Sequence, residues 1–288
     1  LDFTAGVRYD YLSDFKDQLS YRVGLTGQRG LFYGKLLYGT AFRVPSFREY
    51  LEVPSYNFSL KPEHLNTLEA QAGIAFSRGD INLTVYNNHY RDLIREVYVT
   101  EIRRPGEIQQ IGDEYSINAN RSTIAGLEFQ ASVYPTGRMT AVFGASTILR
   151  AKEKIGLIDP SLRLSTPVSE GEADVLFVSG FTANALYSLQ LSRLGHRAGV
   201  NASWISGRNT PPEYQQSVPV DARNPANANG FFKMDLFGAV PISRQFALNL
   251  KVSNVFNRRI YTPPFDDPTG YDIQWPGRAF RFELVWRY

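Results

Sequence analysis

A two-residue alternation of apolar and polar side chains runs through almost the whole chain, and it restricts the fold more than any other property. Phe3, Ala5, Val7, Tyr9 and Tyr11 share one face of the first segment, and Thr4, Gly6, Arg8 and Asp10 share the other. That spacing belongs to a β-strand, whose successive side chains point to opposite faces. Leu68, Ala70, Ala72 and Ile74 alternate with Glu69, Gln71 and Gly73; Leu127, Phe129, Ala131 and Val133 alternate with Glu128, Gln130 and Ser132. Further on, Ala198, Val200, Ala202 and Trp204 repeat the pattern, as do Phe246, Leu248, Leu250 and Val252. The last stretch is the most regular: Phe280, Phe282, Leu284, Trp286 and Tyr288 alternate with Arg281, Glu283, Val285 and Arg287. About twelve such segments begin near residues 1, 17, 31, 66, 80, 114, 138, 180, 196, 230, 246 and 277. Between Leu31 and Phe42 both faces carry apolar residues and the alternation assigns no inward side. No 3.6-residue period extends beyond two turns with caps, so the expected fold is all-β.

The links between segments alternate in length. Short ones fall near Arg29-Gly30, Arg78-Gly79, Pro135–Gly137, Arg193–Gly195 and Pro241–Gln245; long ones span roughly Val44–Asn66, Tyr98–Glu114, Lys154–Gly180, Arg208–Gly230 and Thr262–Pro276. Antiparallel strands with short turns at one end and long loops at the other describe an outer-membrane β-barrel, with turns in the periplasm and loops outside. The segments are expected to run about 9 to 16 residues, longer than the five or six usual in soluble sheets. Under this reading the apolar face meets lipid and the Gly, Ser, Thr, Asn, Arg and Glu face lines a wet interior. Tyr9, Tyr11 and Trp204 then lie near the loop end, and Tyr134, Trp286 and Tyr288 near the turn end, as interface girdles require.

Composition agrees with an inside-out wall. Apolar residues are 43% of the 288 and aromatic residues 14%, yet no apolar run approaches the roughly 18 to 20 residues of a membrane helix. Cysteine is absent, which removes disulfides, thiolate metal sites and cysteine nucleophiles. A net charge of +3 without a run of five like charges argues against nucleic acid as a partner. Leu1 leads straight into strand alternation, so a processed chain or a fragment is expected.

Four stretches resemble the TonB-dependent outer-membrane receptors. They are Tyr38-Gly39-Thr40-Ala41-Phe42-Arg43-Val44-Pro45-Ser46-Phe47-Arg48-Glu49; Leu60-Lys61-Pro62-Glu63 followed by Glu69; Asn120 with Gly126-Leu127-Glu128; and Asn254-Val255-Phe256-Asn257 with Tyr261, Pro276-Gly277-Arg278 and the terminal aromatic alternation. The resemblance implies a 22-stranded barrel whose lumen is filled by an N-terminal plug bearing the segment that TonB contacts. The matched motifs belong to the C-terminal half. Residues 1–288 are therefore expected to form a single barrel domain of about twelve antiparallel transmembrane strands, partial relative to the whole, with the plug missing. The C-terminus falls on the periplasmic side.

The resemblance implies import of a scarce, bulky ligand such as a ferric siderophore, energised through TonB by way of the missing part. In the long loops Tyr98, Arg103, Arg104, Arg208, Tyr214 and Arg223 offer aromatic and cationic groups suited to an anionic, aromatic ligand. The alternative is a complete twelve-stranded barrel acting as a passive pore. No enzyme is expected. His64 is placed in a long loop, His89 on a strand and His196 at a short turn, positions that do not easily meet, and His89 has no Ser two residues away on its face. Asp266, Asp267 and Asp272 lack the spacing of a calcium loop, and neither a metal nor a cofactor is expected. Arg258 and Arg259 are candidates for lipopolysaccharide phosphates. In the resembled class, alternating aromatics ending on a terminal aromatic are what the barrel-assembly machinery recognises, so Phe280, Phe282, Leu284, Trp286 and Tyr288 form the expected assembly signal.

Overall fold

The computed structural model describes residues 1–47, 49, 60–102, 114–155, 162–164, 171–175, 178–208, 230–262 and 273–286. Its strands are β1 (Asp2–Asp10), β2 (Gln18–Arg29), β3 (Phe32–Arg43), β4 (Glu63–Phe76), β5 (Gly79–Ile102), β6 (Glu114–Val133), β7 (Met139–Ile155), β8 (Leu162–Leu164), β9 (Gly171–Asp174), β10 (Phe181–Gln190), β11 (Arg197–Ile205), β12 (Phe231–Pro241), β13 (Phe246–Ser253), β14 (Tyr261–Thr262), β15 (Ile273–Gln274) and β16 (Ala279–Trp286). One sheet runs β1-β2-β3-β4-β5-β6-β7-β10-β11-β12-β13-β16, so every principal strand is bonded to its neighbours in sequence. This is the all-β, twelve-strand meander that the alternation predicts. Its pairs are antiparallel throughout. Among the described residues β1 and β16 are not paired to each other, so the wall is open and partial.

The turn end is tight: Gly30-Leu31 joins β2 to β3, and Ser77-Arg78 joins β4 to β5. Gly30, at φ 62, takes the left-handed conformation that such a two-residue hairpin demands. At the other end three strands exceed the expected length, with 24 residues in β5, 20 in β6 and 17 in β7. The wall therefore rises above the neighbouring strands, and β8 on β5 and β9 on β7 extend it further. Tyr98 lies on this extension, opposite Glu114, so its backbone is strand rather than loop. His64 likewise stands on β4, against the loop placement expected of it.

Burial is inverted relative to a soluble protein. Among the described residues only Leu60 and Ile260 are buried large apolar side chains, while Gln18, Asn82, Thr84, Ser122, Glu153 and Asp235 are buried polar ones. The fourth strand decides the orientation: Leu68, Ala70, Ala72 and Ile74 are exposed, whereas Glu69, Gln71 and Gly73 between them are half-buried, and Phe280, Phe282, Leu284 and Trp286 are exposed on the edge strand β16. Apolar rows thus face outward from a polar concave wall, and no helix of the described residues is long and apolar enough to cross a membrane. The ambiguous third segment resolves in the same way. Lys35 reaches Glu69 on the inner face at 3.4 Å, whereas Phe32 and Leu36 are exposed outside.

Inside, polar side chains satisfy one another across strands. Gln71 donates to Asn82 Oδ1 at 3.3 Å and Thr84 Oγ1 at 3.1 Å, Asn82 donates to Asp80 at 2.9 Å, and Tyr33 donates to Asp80 at 2.6 Å. Aromatic rings lie over glycines directly opposite in register: Tyr33 over Gly73, Tyr86 over Gly126 and Phe237 over Gly199. A Cβ at Gly126 would sit 2.6 Å from the Thr147 carbonyl and 2.5 Å from the Tyr86 hydroxyl. The glycine before Glu128 is thus required by a ring that closes the gap in the pleat.

Candidate functional site

Two knots of side chains on the loop-side rim are built from the sequence stretches singled out above. The first grows from the end of β3. Arg43 Nη1 and Nη2 grip Glu49 at 2.9 and 3.0 Å, and its Nε donates to Glu63 at 2.6 Å. A forked guanidinium is the group that can hold two carboxylates in fixed directions. Ser46 and Glu49 cap each other: the Ser46 N–H donates to the Glu49 carboxylate at 2.6 Å, and the Glu49 N–H donates to Ser46 Oγ at 3.3 Å. This reciprocal pair is a capping box. The guanidinium of Arg43, helped by the Ser46 N–H, draws the Glu49 carboxyl down to about 2 against the opposing pull of partial burial.

Glu63 continues the knot, accepting from the Ile94 N–H at 2.8 Å. Beside it Asn118 accepts from the Lys61 N–H at 2.7 Å and donates to the carbonyls of Lys61 and Asp92 at 2.8 and 2.6 Å. Asp92 sits at φ 56, in the register shift that follows Tyr90. His64 closes the group, 2.9 Å from Gln18 Oε1 and 3.6 Å from Asp92. The motif pair Arg43–Glu49 and Leu60–Glu63 therefore ties β3, β4, β5 and β6 together where the β3–β4 loop leaves the wall.

The second knot closes the last hairpin. Buried Asn254, at φ 50, donates its N–H to Asp235 at 2.9 Å, and its side chain exchanges bonds of 2.8 and 3.0 Å with the Arg258 carbonyl and N–H. Lys233 and Lys251 each lie 3.4 Å from Asp235. Asn257, at φ 52, accepts from the Arg278 N–H at 2.9 Å, and Arg278 Nε donates to the Val255 carbonyl at 2.9 Å. The Trp275 N–H donates to the carbonyl of buried Ile260 at 2.8 Å. Asparagine is the side chain that tolerates this left-handed backbone while bonding locally. The Asn254–Asn257 and Gly277-Arg278 pieces are one structural unit.

Of the expected ligand residues, Arg208 is described, paired through an isolated bridge with Ser179, and the backbone of Tyr98 is placed on β5. Arg103, Arg104, Tyr214 and Arg223, like Tyr288 and Asp266, Asp267 and Asp272, lie outside the described residues. His196 accompanies Ser192, 2.6 Å away at the β10–β11 turn, and His89 meets Thr123 at 3.1 Å, far along the sheet from it. Among the described residues no group of three His, Asp or Glu side chains gathers to hold a metal.

A family model for the β-barrel of TonB-dependent receptor-like proteins matches residues 1–255. The chain belongs to that family. TonB-dependent receptor barrels are outer-membrane walls, and this one has their meander and their inverted faces. In sequence the chain is 27% identical over 295 residues to transferrin-binding protein A of Neisseria meningitidis serogroup B, covering 91% of this chain and 31% of the relative. The Neisseria gonorrhoeae transferrin-binding protein A is 25% identical over the same shares. The chain thus spans about a third of the length of these curated relatives. In fold it matches a variant of the ferric enterobactin receptor of Pseudomonas aeruginosa with TM-score 0.74, at 15% identity and over 99% of this chain and 42% of that one. The FrpB iron transporter of Neisseria meningitidis matches with TM-score 0.65, at 18% identity and over 94% and 39%.

Proposed function

We propose that residues 1–288 form the C-terminal part of the barrel of an active importer of a bulky, iron-bearing ligand, with a ferric siderophore as cargo. TonB supplies the energy through an N-terminal plug outside this chain. The observation that carries the reading is the inverted wall, polar and hydrogen-bonded within and aromatic without. Such a wall encloses an aqueous path through lipid, and its open β1 and β16 edges call for further strands to close it. The sequence likeness to transferrin-binding protein A and the fold likeness to ferric siderophore receptors both support iron as the element carried.

In this reading the outward apolar rows meet outer-membrane lipid, the long loops face outside and the C-terminus is periplasmic. Tyr98, Arg103, Arg104, Arg208, Tyr214 and Arg223 are ligand candidates on the outer side, where cationic and aromatic groups suit an anionic, aromatic chelate. Arg258 and Arg259 are placed for lipopolysaccharide phosphates. The strand from Phe280 to Tyr288 is the segment offered to the barrel-assembly machinery. The protein performs transport and no chemical transformation.

A second reading, in which the ligand is an iron-carrying host protein, is favoured by the sequence match that covers 91% of the chain. Uptake of radiolabelled iron by iron-starved cells separates the two. Cells lacking the receptor are expected to lose uptake from a ferric siderophore, and cells with Arg103→Ala and Arg104→Ala together to take it up more weakly. Loss confined to uptake from iron-loaded transferrin supports the second reading, and unchanged uptake from both sources overturns import.

A further inference from the structure

Every described short turn of the wall carries an exposed arginine. They are Arg29 at the end of β2 beside the β2–β3 turn, Arg78 between β4 and β5, Arg138 between β6 and β7, Arg193 between β10 and β11, and Arg244 between β12 and β13. Because each turn is two strands from the next, these cations recur along the rim at intervals of about 10 Å. Among the described residues none of the five is ion-paired: no carboxylate lies within 4.0 Å of them. Arg78 is held by a bond to the Pro135 carbonyl at 2.7 Å. The carboxylates described at this end are Asp2, Asp80 and Glu283; Asp80 is engaged by Tyr33 and Asn82, and Glu283 by Asn249.

The same rim also exposes apolar side chains. Leu31 is a neighbour of Arg29 across Gly30, Leu194 follows Arg193, Ile242 and Phe246 flank Arg244, and Tyr134 begins the turn that ends at Arg138; all five are exposed. Cations set among exposed aliphatic and aromatic side chains match a bilayer interface, where apolar groups enter the acyl boundary and arginine meets phosphate. A soluble acidic protein would need the charge and not the grease.

We propose that this arginine collar binds the phosphate headgroups of anionic phospholipid in the leaflet around the turn end of the barrel. The inference rests on the membrane orientation given under Proposed function. It identifies a lipid-binding surface opposite to the loops, independent of the cargo.

The test uses the purified full receptor in vesicles of phosphatidylcholine containing spin-labelled phosphatidylglycerol or spin-labelled phosphatidylcholine. The native receptor is expected to hold the anionic label about fivefold more strongly, the ratio that one arginine near a lipid surface supplies. Replacing all five by glutamine (R29Q, R78Q, R138Q, R193Q and R244Q) should bring the ratio close to one while the barrel keeps its heat-dependent mobility. A native receptor without lipid preference overturns the proposal, as does a preference retained in the quintuple variant. Capture of an acidic periplasmic protein by the collar, in place of lipid, overturns it too. Failure of the native receptor to insert into any vesicle overturns the membrane reading itself, whereas insertion without preference removes only the collar.

Discussion

At the loop-side rim Arg43 is shared by Glu49 and Glu63, and Asp235 is enclosed by Asn254, Lys233 and Lys251. At the turn-side rim Arg29, Arg138, Arg193 and Arg244 meet no carboxylate among the described residues. The difference follows from what each rim must hold. A short turn is fixed within itself, by its backbone in the two-residue hairpins and by the Thr136, Ser192 and Ser243 hydroxyls in the longer ones, so its arginines are free for another partner. A long loop has no such constraint, and its entry and exit are held by side chains that satisfy one another. Charge is therefore structural at one end of the wall and available at the other.

Replacing Asn254 should produce the largest effect that separates the rims. Asn254→Ala removes both side-chain bonds to Arg258 and puts a Cβ-bearing residue without local bonding at φ 50. A loss of about 3 kcal/mol is expected from two unmade buried bonds and the backbone penalty. Asn254→Gly keeps the backbone conformation and should lose visibly less. Thermal melting of the full receptor, followed by heat-dependent mobility, reads both; equal losses would show that the left-handed backbone adds nothing and that the lost side-chain bonds carry the whole effect. Next in size is Arg43→Met, which strands Glu49 and Glu63 near one another. Since Arg43 is about half exposed, water screens much of the lost attraction, and about 1 to 2 kcal/mol is expected. The change should also speed proteolytic cleavage between β3 and β4. Unaltered cleavage would detach this knot from the loop.

The wall was legible in the sequence because its information is local. Alternation needs only neighbouring residues, so the starts of all the principal strands but β4, which begins three residues early, fall within a residue or two of the expected positions. Strand ends on the loop side were harder, because β5 and β6 stay paired as far as Tyr98 and Glu114, and β5 then pairs with β8, with no change in composition to mark where the wall stops. The knots were visible as motifs and opaque as mechanism. Arg43 with a glutamate six residues later, and two asparagines three apart after a strand, are the signals, but their partners Glu63, Asn118 and Asp235 come from other strands. The ligand candidates are least legible of all: a loop arginine reads alike whether it meets solvent or cargo.

Acid should divide the two rims by a smaller margin than either substitution. Glu49 has its carboxyl lowered from 4.5 to about 2 by Arg43 and Ser46, so the folded state favours its ionised form. Its contribution is fully present above about 4.5, and it fades as pH falls through that value towards 2, where folded and unfolded chains both bind the proton. With Arg43 half exposed the loss amounts to about 1 kcal/mol. It should appear as a lower Tm and faster β3–β4 cleavage at pH 3 than at pH 6, and be absent in Glu49→Gln. Arg138 meets no carboxylate among the described residues, so Arg138→Gln should leave both the melting curve and its pH dependence unchanged. A pH-dependent loss of the same size in Glu49→Gln would place the acid-sensitive group elsewhere on the loop side, whereas a shift caused by Arg138→Gln would mean that the turn end, too, uses its charge to hold the fold.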